Sequence, residues 1–407
     1  MAGVLRFAGG VLFLAAASLT LLPALTRTLW YASLAATEWG YFLAFAAVLP
    51  LIPTRARSRL GTLGALLAVA AMALFVSPVI RAQQMGRDLP AAFDTAFGAE
   101  RRARGSSAED PRPAPLVLMD LFRPPQSQPI RFETREYARY AGEPLTLDVY
   151  QPGYAHGPLP GVIVVPGGTW RGGDNSEFVA FNAYLAARDY VVLSINRRLA
   201  PRWPFPAARD DVLSALAFAK VNGPQFGIDP DRIVLLGRSA GGELALLAAY
   251  TAGDPAVRGV VSIYGGSDLQ YEYEHPAPSM LVDTRTALEV YLGGPPAKRE
   301  DAYFAASPIN FVSAASPPTL LIQGALDRMV TPEETARLET RLRAAGVKHL
   351  TVNLPWATHK CDKSFAGPCG QMVTYAVERF LDGVTIPPEP QAPQPHGAKR
   401  RSKTARR

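Results

Sequence analysis

Five short apolar runs constrain this chain most: residues 161–165, 190–195, 232–236, 259–264 and 319–322. They are continuous rather than alternating and rich in Val, Ile and Leu. That pattern suits strands buried on both faces of a parallel sheet. Helical patterns separate them, at 178–188, 210–221, 241–250 and 333–345. Strand and helix in alternation predict an α/β doubly wound domain. Two earlier segments, 130–137 and 145–150, read as an antiparallel start to the same sheet.

The first 80 residues obey a different rule. Residues 7–26 and 60–80 carry no charge, and residues 29–52 are interrupted only by Glu38. A helix needs about 20 apolar residues to cross a bilayer core. Three transmembrane helices are therefore expected, with a signal peptide as the alternative for the first. Glu38 stands beside Trp39 and Tyr41, so it is expected at the membrane interface, where aromatic residues gather. Arg55, Arg57 and Arg59 mark a cytoplasmic loop, which puts the amino terminus inside and everything after Arg81 outside. In that oxidising compartment Cys361 and Cys369 are expected to form a disulfide. Two separate thiols in a reducing compartment are the alternative.

Four parts follow: 1–80 as a membrane anchor, 81–129 as a proline-rich linker, 130–386 as the α/β domain and 387–407 as a disordered basic tail. The formal charge of +7 does not point to nucleic acid, because much of it sits in the final nine residues. No basic face interleaved with aromatics accompanies it. No phosphate loop, H-E-x-x-H or calcium loop occurs, so neither a metal nor a nucleotide cofactor is implied.

The chemistry begins where the run 232–236 ends. Gly237-Arg238-Ser239-Ala240-Gly241-Gly242 is a G-x-S-x-G followed at once by a helical pattern. A strand–turn–helix context is what this motif needs. The sharp turn requires small neighbours two residues either side of Ser239, and the helix start favours developing negative charge. A nucleophilic serine needs a base. Of five histidines, His396 lies in the tail, His156 before the sheet core, His349 at a strand start and His275 in a Tyr/Glu-rich insertion. His359 alone falls in the loop between the last strand and the last helix, at the sheet edge where the nucleophile sits. Asp327, after the run 319–322, is the expected acid; Asp268 competes with it. Backbone donors for an oxyanion are expected from Gly167 and Gly168, after the run 161–165, and from Ala240.

These motifs together resemble the α/β-hydrolase superfamily. With Pro166-Gly167-Gly168-Thr169-Trp170, Arg198-Leu199-Ala200-Pro201 and Phe205-Pro206-Ala207-Ala208-Arg209-Asp210-Asp211, the closest resemblance is to the hormone-sensitive-lipase and feruloyl-esterase-like (BD-FAE-like) carboxylesterases. The resemblance covers roughly residues 130 to 383. It implies an eight-stranded, mostly parallel sheet, a Ser239–His359–Asp327 triad and an oxyanion hole from the Gly167-Gly168 loop. Three departures stand out: Pro166 where the family has His, Thr169 where it has Gly, and Arg197 where it has Tyr. Asp211 matches a recurring family Asp with a structural role. The stretch 265–294, rich in Tyr and Glu, is expected either to cap the site or to be a solvated excursion.

The expectation is a membrane-anchored serine hydrolase acting on small-molecule carboxylic esters. A serine peptidase or amidase, an acyltransferase, and a non-catalytic binding domain are the alternatives.

Overall fold

The computed structural model describes residues 2–52, 58–98, 110–125, 128–154 and 157–385. His156, His396, Arg55, Arg57 and the basic tail 387–407 lie outside the described residues.

The α/β part is one eight-stranded sheet in the order β1-β2-β4-β3-β5-β6-β7-β8. The strands are β1 (Ile130–Tyr140), β2 (Glu143–Pro152), β3 (Leu159–Val165), β4 (Val191–Ile195), β5 (Ile228–Arg238), β6 (Val257–Ile263), β7 (Thr319–Gly324) and β8 (His349–Leu354). The β1–β2 and β2–β4 pairs are antiparallel, and all later pairs are parallel. Alternate residues of one strand feed opposite cores: Ile163 and Val165 join one, Val162 and Val164 the other. That double burial is why the runs read as continuously apolar.

Helices clothe both faces. α5 (Val179–Ala186) and α12 (Pro368–Thr385) lie on one side, α6 (Ala207–Val221) and α7 (Ala240–Thr251) on the other. The segment between β6 and β7 folds into α8 (Leu269–Glu274), α9 (Thr284–Leu292) and α10 (Pro296–Ala306), and α11 (Pro332–Ala344) joins β7 to β8. The stretch 265–294 is thus an ordered helical cap, which decides between the two expectations.

The amino-terminal part departs from three straight spans. α1 (Ala2–Ser18) is apolar and 17 residues long. The expected second helix is broken instead: α2 (Arg27–Glu38) and α3 (Gly40–Ala46) belong to a pair bent by 86°. Gly40 stands at the corner, where an added Cβ would fall 2.5 Å from the Phe75 carbonyl oxygen. The break lets the chain pass that close to the next helix. α4 (Arg59–Phe97) is 39 residues long, and among the described residues it is the one single helix long and apolar enough to cross a membrane. α1 and α4 meet backbone to backbone at Gly10 and Gly64, where a Cβ on Gly10 would stand 2.3 Å from the Gly64 carbonyl oxygen.

The linker reading of residues 81–129 also needs correction at its start. α4 does not stop at Arg81, despite Pro78 and Pro90 within it. Its second half packs on the sheet side occupied by α12, burying Ala82, Leu89 and Phe93. Phe97 meets the Phe380 ring at 5.0 Å, and Asp94 pairs with Arg379 at 2.6 Å. A short helical turn follows at Leu118–Leu121.

Glu38 is not at an exposed interface. It is 1 % exposed, and its Oε2 accepts the Cys369 N–H at 3.1 Å. Cys361 and Cys369 are joined by a disulfide. The amino-terminal helices therefore dock on the disulfide loop of the α/β part.

Candidate active site

Five loops meet at the carboxyl edge of the sheet. The first is the turn between β5 and α7, where Ser239 is the single residue between strand and helix. Its φ of 54° and ψ of −128° are strained for a side-chain-bearing residue. The strain is held by crowding. A Cβ on Gly237 would lie 1.9 Å from the Gly241 carbonyl oxygen, and one on Gly241 would lie 2.2 Å from that of Val165. Ser239 N–H donates to the Ile263 carbonyl at 3.0 Å, which ties the turn to β6.

His359 reaches this serine from the loop after β8. His359 Nε2 and Ser239 Oγ are 2.9 Å apart, and His359 Nδ1 and Asp327 Oδ2 are 2.7 Å apart. Asp327 follows β7 and is fully buried. Its Oδ1 accepts the Met329 N–H at 2.8 Å and the Val330 N–H at 3.2 Å. A carboxylate fixed this way accepts a proton-bearing Nδ1, which leaves Nε2 free to accept the serine proton. That tautomer is inferred from the hydrogen-bond pattern. The structure brings Ser239, His359 and Asp327 together. Asp268 is elsewhere: it caps α8 through the Tyr271 N–H at 3.1 Å and pairs with Arg337 at 2.7 Å. His275 and His349 face backbone carbonyls of Tyr271 and Val347. Asp211 pairs with Arg198 at 2.7 Å.

The fourth loop, after β3, carries Gly167 and Gly168. Gly168 has a φ of +110°, and Thr169 and Trp170 follow at 51° and 56°. A Cβ on Gly167 would sit 3.2 Å from the Ser239 Cβ, so glycine permits this approach to the nucleophile. Pro166 removes the brace a histidine would give. Arg197 supplies another, donating from Nη2 to the Gly167 carbonyl at 2.8 Å and to the Gly172 carbonyl at 3.0 Å. Trp170 stacks on Tyr291 at 4.6 Å, and its indole N–H donates to Glu243 Oε2 at 2.7 Å. Burial pushes the Glu243 carboxyl up to about 8, against the pull of that indole and of Arg197.

Several contacts near the base were not legible in the sequence. Arg238, beside the nucleophile, donates from Nε to Asp362 Oδ2 at 2.6 Å, and Tyr264 donates to Asp362 Oδ1 at 2.5 Å. The Tyr264 ring in turn lies 4.7 Å from the His359 ring. Trp30, on α2, donates its indole N–H to the His359 carbonyl at 3.0 Å. Trp30, Ala24 and Leu34 pack with Leu281 of the cap and against Met329.

The fifth loop belongs to the cap. Glu272, Val282, Thr284 and Ala287 join Thr169, Ser239, Met329 and His359 around a small cavity of about 40 Å³.

Residues 147–342 match the BD-FAE family profile. Those residues form a BD-FAE family domain. Among curated proteins it is similar to Esterase LipC of Mycobacterium tuberculosis, 33% identical over 272 residues. That match covers 62% of this chain and 66% of LipC. It is also similar to the probable carboxylic ester hydrolase LipM of the same organism, 28% identical over 74% of this chain and 73% of LipM. Among solved structures, a hyperthermophilic esterase from Pyrobaculum calidifontis is 27% identical with a TM-score of 0.54, covering 62% of this chain and 83% of that one. A bacterial heroin esterase, at 22% identity and a TM-score of 0.56 over 66% of this chain and 88% of its own, shares the fold. These relatives are named esterases or carboxylic ester hydrolases.

Proposed function

We propose that the chain is a membrane-anchored serine hydrolase that cleaves carboxylic esters through an acyl-enzyme. The observation that carries the reading is the unbroken relay from Ser239 Oγ through His359 to Asp327, at 2.9 Å and 2.7 Å, opening on a cavity. Ser239 Oγ attacks the ester carbonyl as His359 Nε2 takes its proton. The imidazolium that forms is stabilised by the Asp327 carboxylate. The N–H groups of Ala240, Gly167 and Gly168 hold the oxyanion; one such donor contributes about 3 kcal/mol of barrier lowering. His359 then protonates the leaving alcohol, and water, activated by the same nitrogen, releases the acid.

The membrane part of the proposal rests on α4 and on apolar side chains left largely exposed. Leu12 is 68 % exposed, Phe45 68 % and Leu66 62 %, on three different helices. Apolar surface spread this way favours lipid contact. The charge rule adds the orientation, with the α/β domain on the periplasmic or extracellular side, and the Cys361–Cys369 disulfide suits that compartment.

The test is hydrolysis of a short-chain p-nitrophenyl ester by the full chain in detergent, beside Ser239→Ala. Turnover that disappears with the serine supports the reading. Equal turnover in both folded proteins contradicts it.

A further inference from the structure

The cavity beside Ser239 holds a group that the relay does not use. Glu272, on α8, lines it while being only 6 % exposed, and its Oε2 has no hydrogen-bond partner. Behind it stands Glu334, 1 % exposed and tethered by the Ser267 N–H at 3.2 Å. The two carboxyls converge on Gly266. An added Cβ there would fall 2.9 Å from Glu272 Oε2 and 3.6 Å from Glu334 Oε2. Neither carboxyl has a basic side chain paired with it among the described ion pairs. Of the cavity's lining residues, His359 is the one with a basic group, and it is committed to Ser239 and Asp327.

A buried carboxyl with an empty lone pair and no counter-charge is costly to leave so. Burial first, then the acidic neighbours Glu243 and Asp327, push the Glu272 carboxyl up to about 8. The site therefore lacks a positive charge and repels a negative one. Its size adds a second limit. With about 40 Å³ of free space the cavity is small, which favours a short group beside Ser239, so it suits a compact acyl side of an ester.

We propose that this cavity selects esters whose acyl group carries a protonated amine beside the carbonyl, with Glu272 as its counter-ion. The inference rests on the esterase reading above and names its substrate class. An alanyl group is the right size: beyond the carbonyl it has a Cα, a methyl and an ammonium. The ammonium supplies up to three donors to Glu272, which ionises against it. The isosteric isobutyryl group offers a methyl there and leaves the carboxyl unpartnered.

The experiment compares methyl esters of alanine, isobutyric acid and lactic acid with the full chain in detergent at pH 7. Alaninate is expected to exceed isobutyrate in kcat/KM by tenfold or more. That ratio, not the absolute rate, is expected to collapse towards one in Glu272→Gln. A wild-type ratio near one, lactate ranking above alaninate, or a ratio untouched by Glu272→Gln would overturn the proposal. Should Glu272→Gln fail to fold, inhibition of the wild-type protein decides. Alaninamide is expected to bind at least tenfold more tightly than isobutyramide, and equal inhibition overturns the proposal. Serine-dependent turnover of isobutyrate with no amine preference defeats this inference alone. Failure to cleave any ester, with the protein folded, defeats the esterase reading and this inference with it.

Discussion

Asp362→Asn tests how the site is held together. Arg238 is 1 % exposed and Asp362 5 %, and they meet at 2.6 Å. The guanidinium lies 3.9 Å over the Phe178 ring and 4.6 Å over Phe181, and neither Nη atom has a hydrogen-bond partner. Its charge is therefore balanced by one carboxylate and two ring faces. The asparagine keeps the shape and an acceptor for Tyr264 but removes the balancing charge. Breaking a buried pair from one side costs about 3–5 kcal/mol. For a domain of this size ~3 kcal/mol corresponds to a midpoint shift of roughly 6–12 °C. Thermal unfolding of the full chain in detergent reads it directly. The double variant Arg238→Met with Asp362→Leu buries no charge and is expected to recover most of the loss. A single variant within about 2 °C of wild type would refute the reasoning, given the per-kcal/mol scale above. So would a double variant no more stable than Asp362→Asn.

Two further outcomes follow from the same geometry. Trp30→Phe keeps a ring in the α2–cap contact but strips the His359 carbonyl of its donor; the lost bond is worth about 1 kcal/mol, and if it is felt in the transition state kcat falls about fivefold with KM unchanged. Steady-state kinetics check it, and an unchanged kcat with lowered stability would reduce Trp30 to packing. Glu243 has its folded pKa raised from 4.5 to about 8 by burial, so its contribution to stability is full below 4.5 and is lost as pH rises through about 8. Between those limits the slope is about 1.4 kcal/mol per pH unit for one proton; Glu243→Gln is expected to flatten, but not abolish, the fall in midpoint from pH 5 to pH 8, because Glu272 and Glu334 titrate in the same sense.

The sheet was legible because its signals are local. Residues 161–165 and 232–236 declare double burial by composition, and Gly237 to Gly242 declare the turn by size. Ser239, Asp327 and His359 could be placed because each follows a strand end, and strand ends share one edge. The Arg238–Asp362 pair spans 124 positions, and no local pattern marks it. A hint existed: a large charged residue inside a turn of small ones has nowhere to go but inward. The bend at Trp39 was hidden because apolar composition reports the environment of residues 29–52, not the straightness of the helix. Arg81 looked like the end of a span, yet α4 continues because its next turns pack on the α12 side of the sheet. The burial of Glu38 was hidden for a related reason. Its partner is the backbone of Cys369, more than 300 residues away.

The most direct measurement is the intact mass of the full chain after brief exposure to a p-nitrophenyl ester, followed by peptide mapping. The expected result is one added acyl group, located on Ser239, that decays with time in wild type and persists longer in His359→Ala if acylation is forced with an activated ester. An acyl group on another residue, or ester turnover with no serine adduct under any quench, would contradict the acyl-enzyme account.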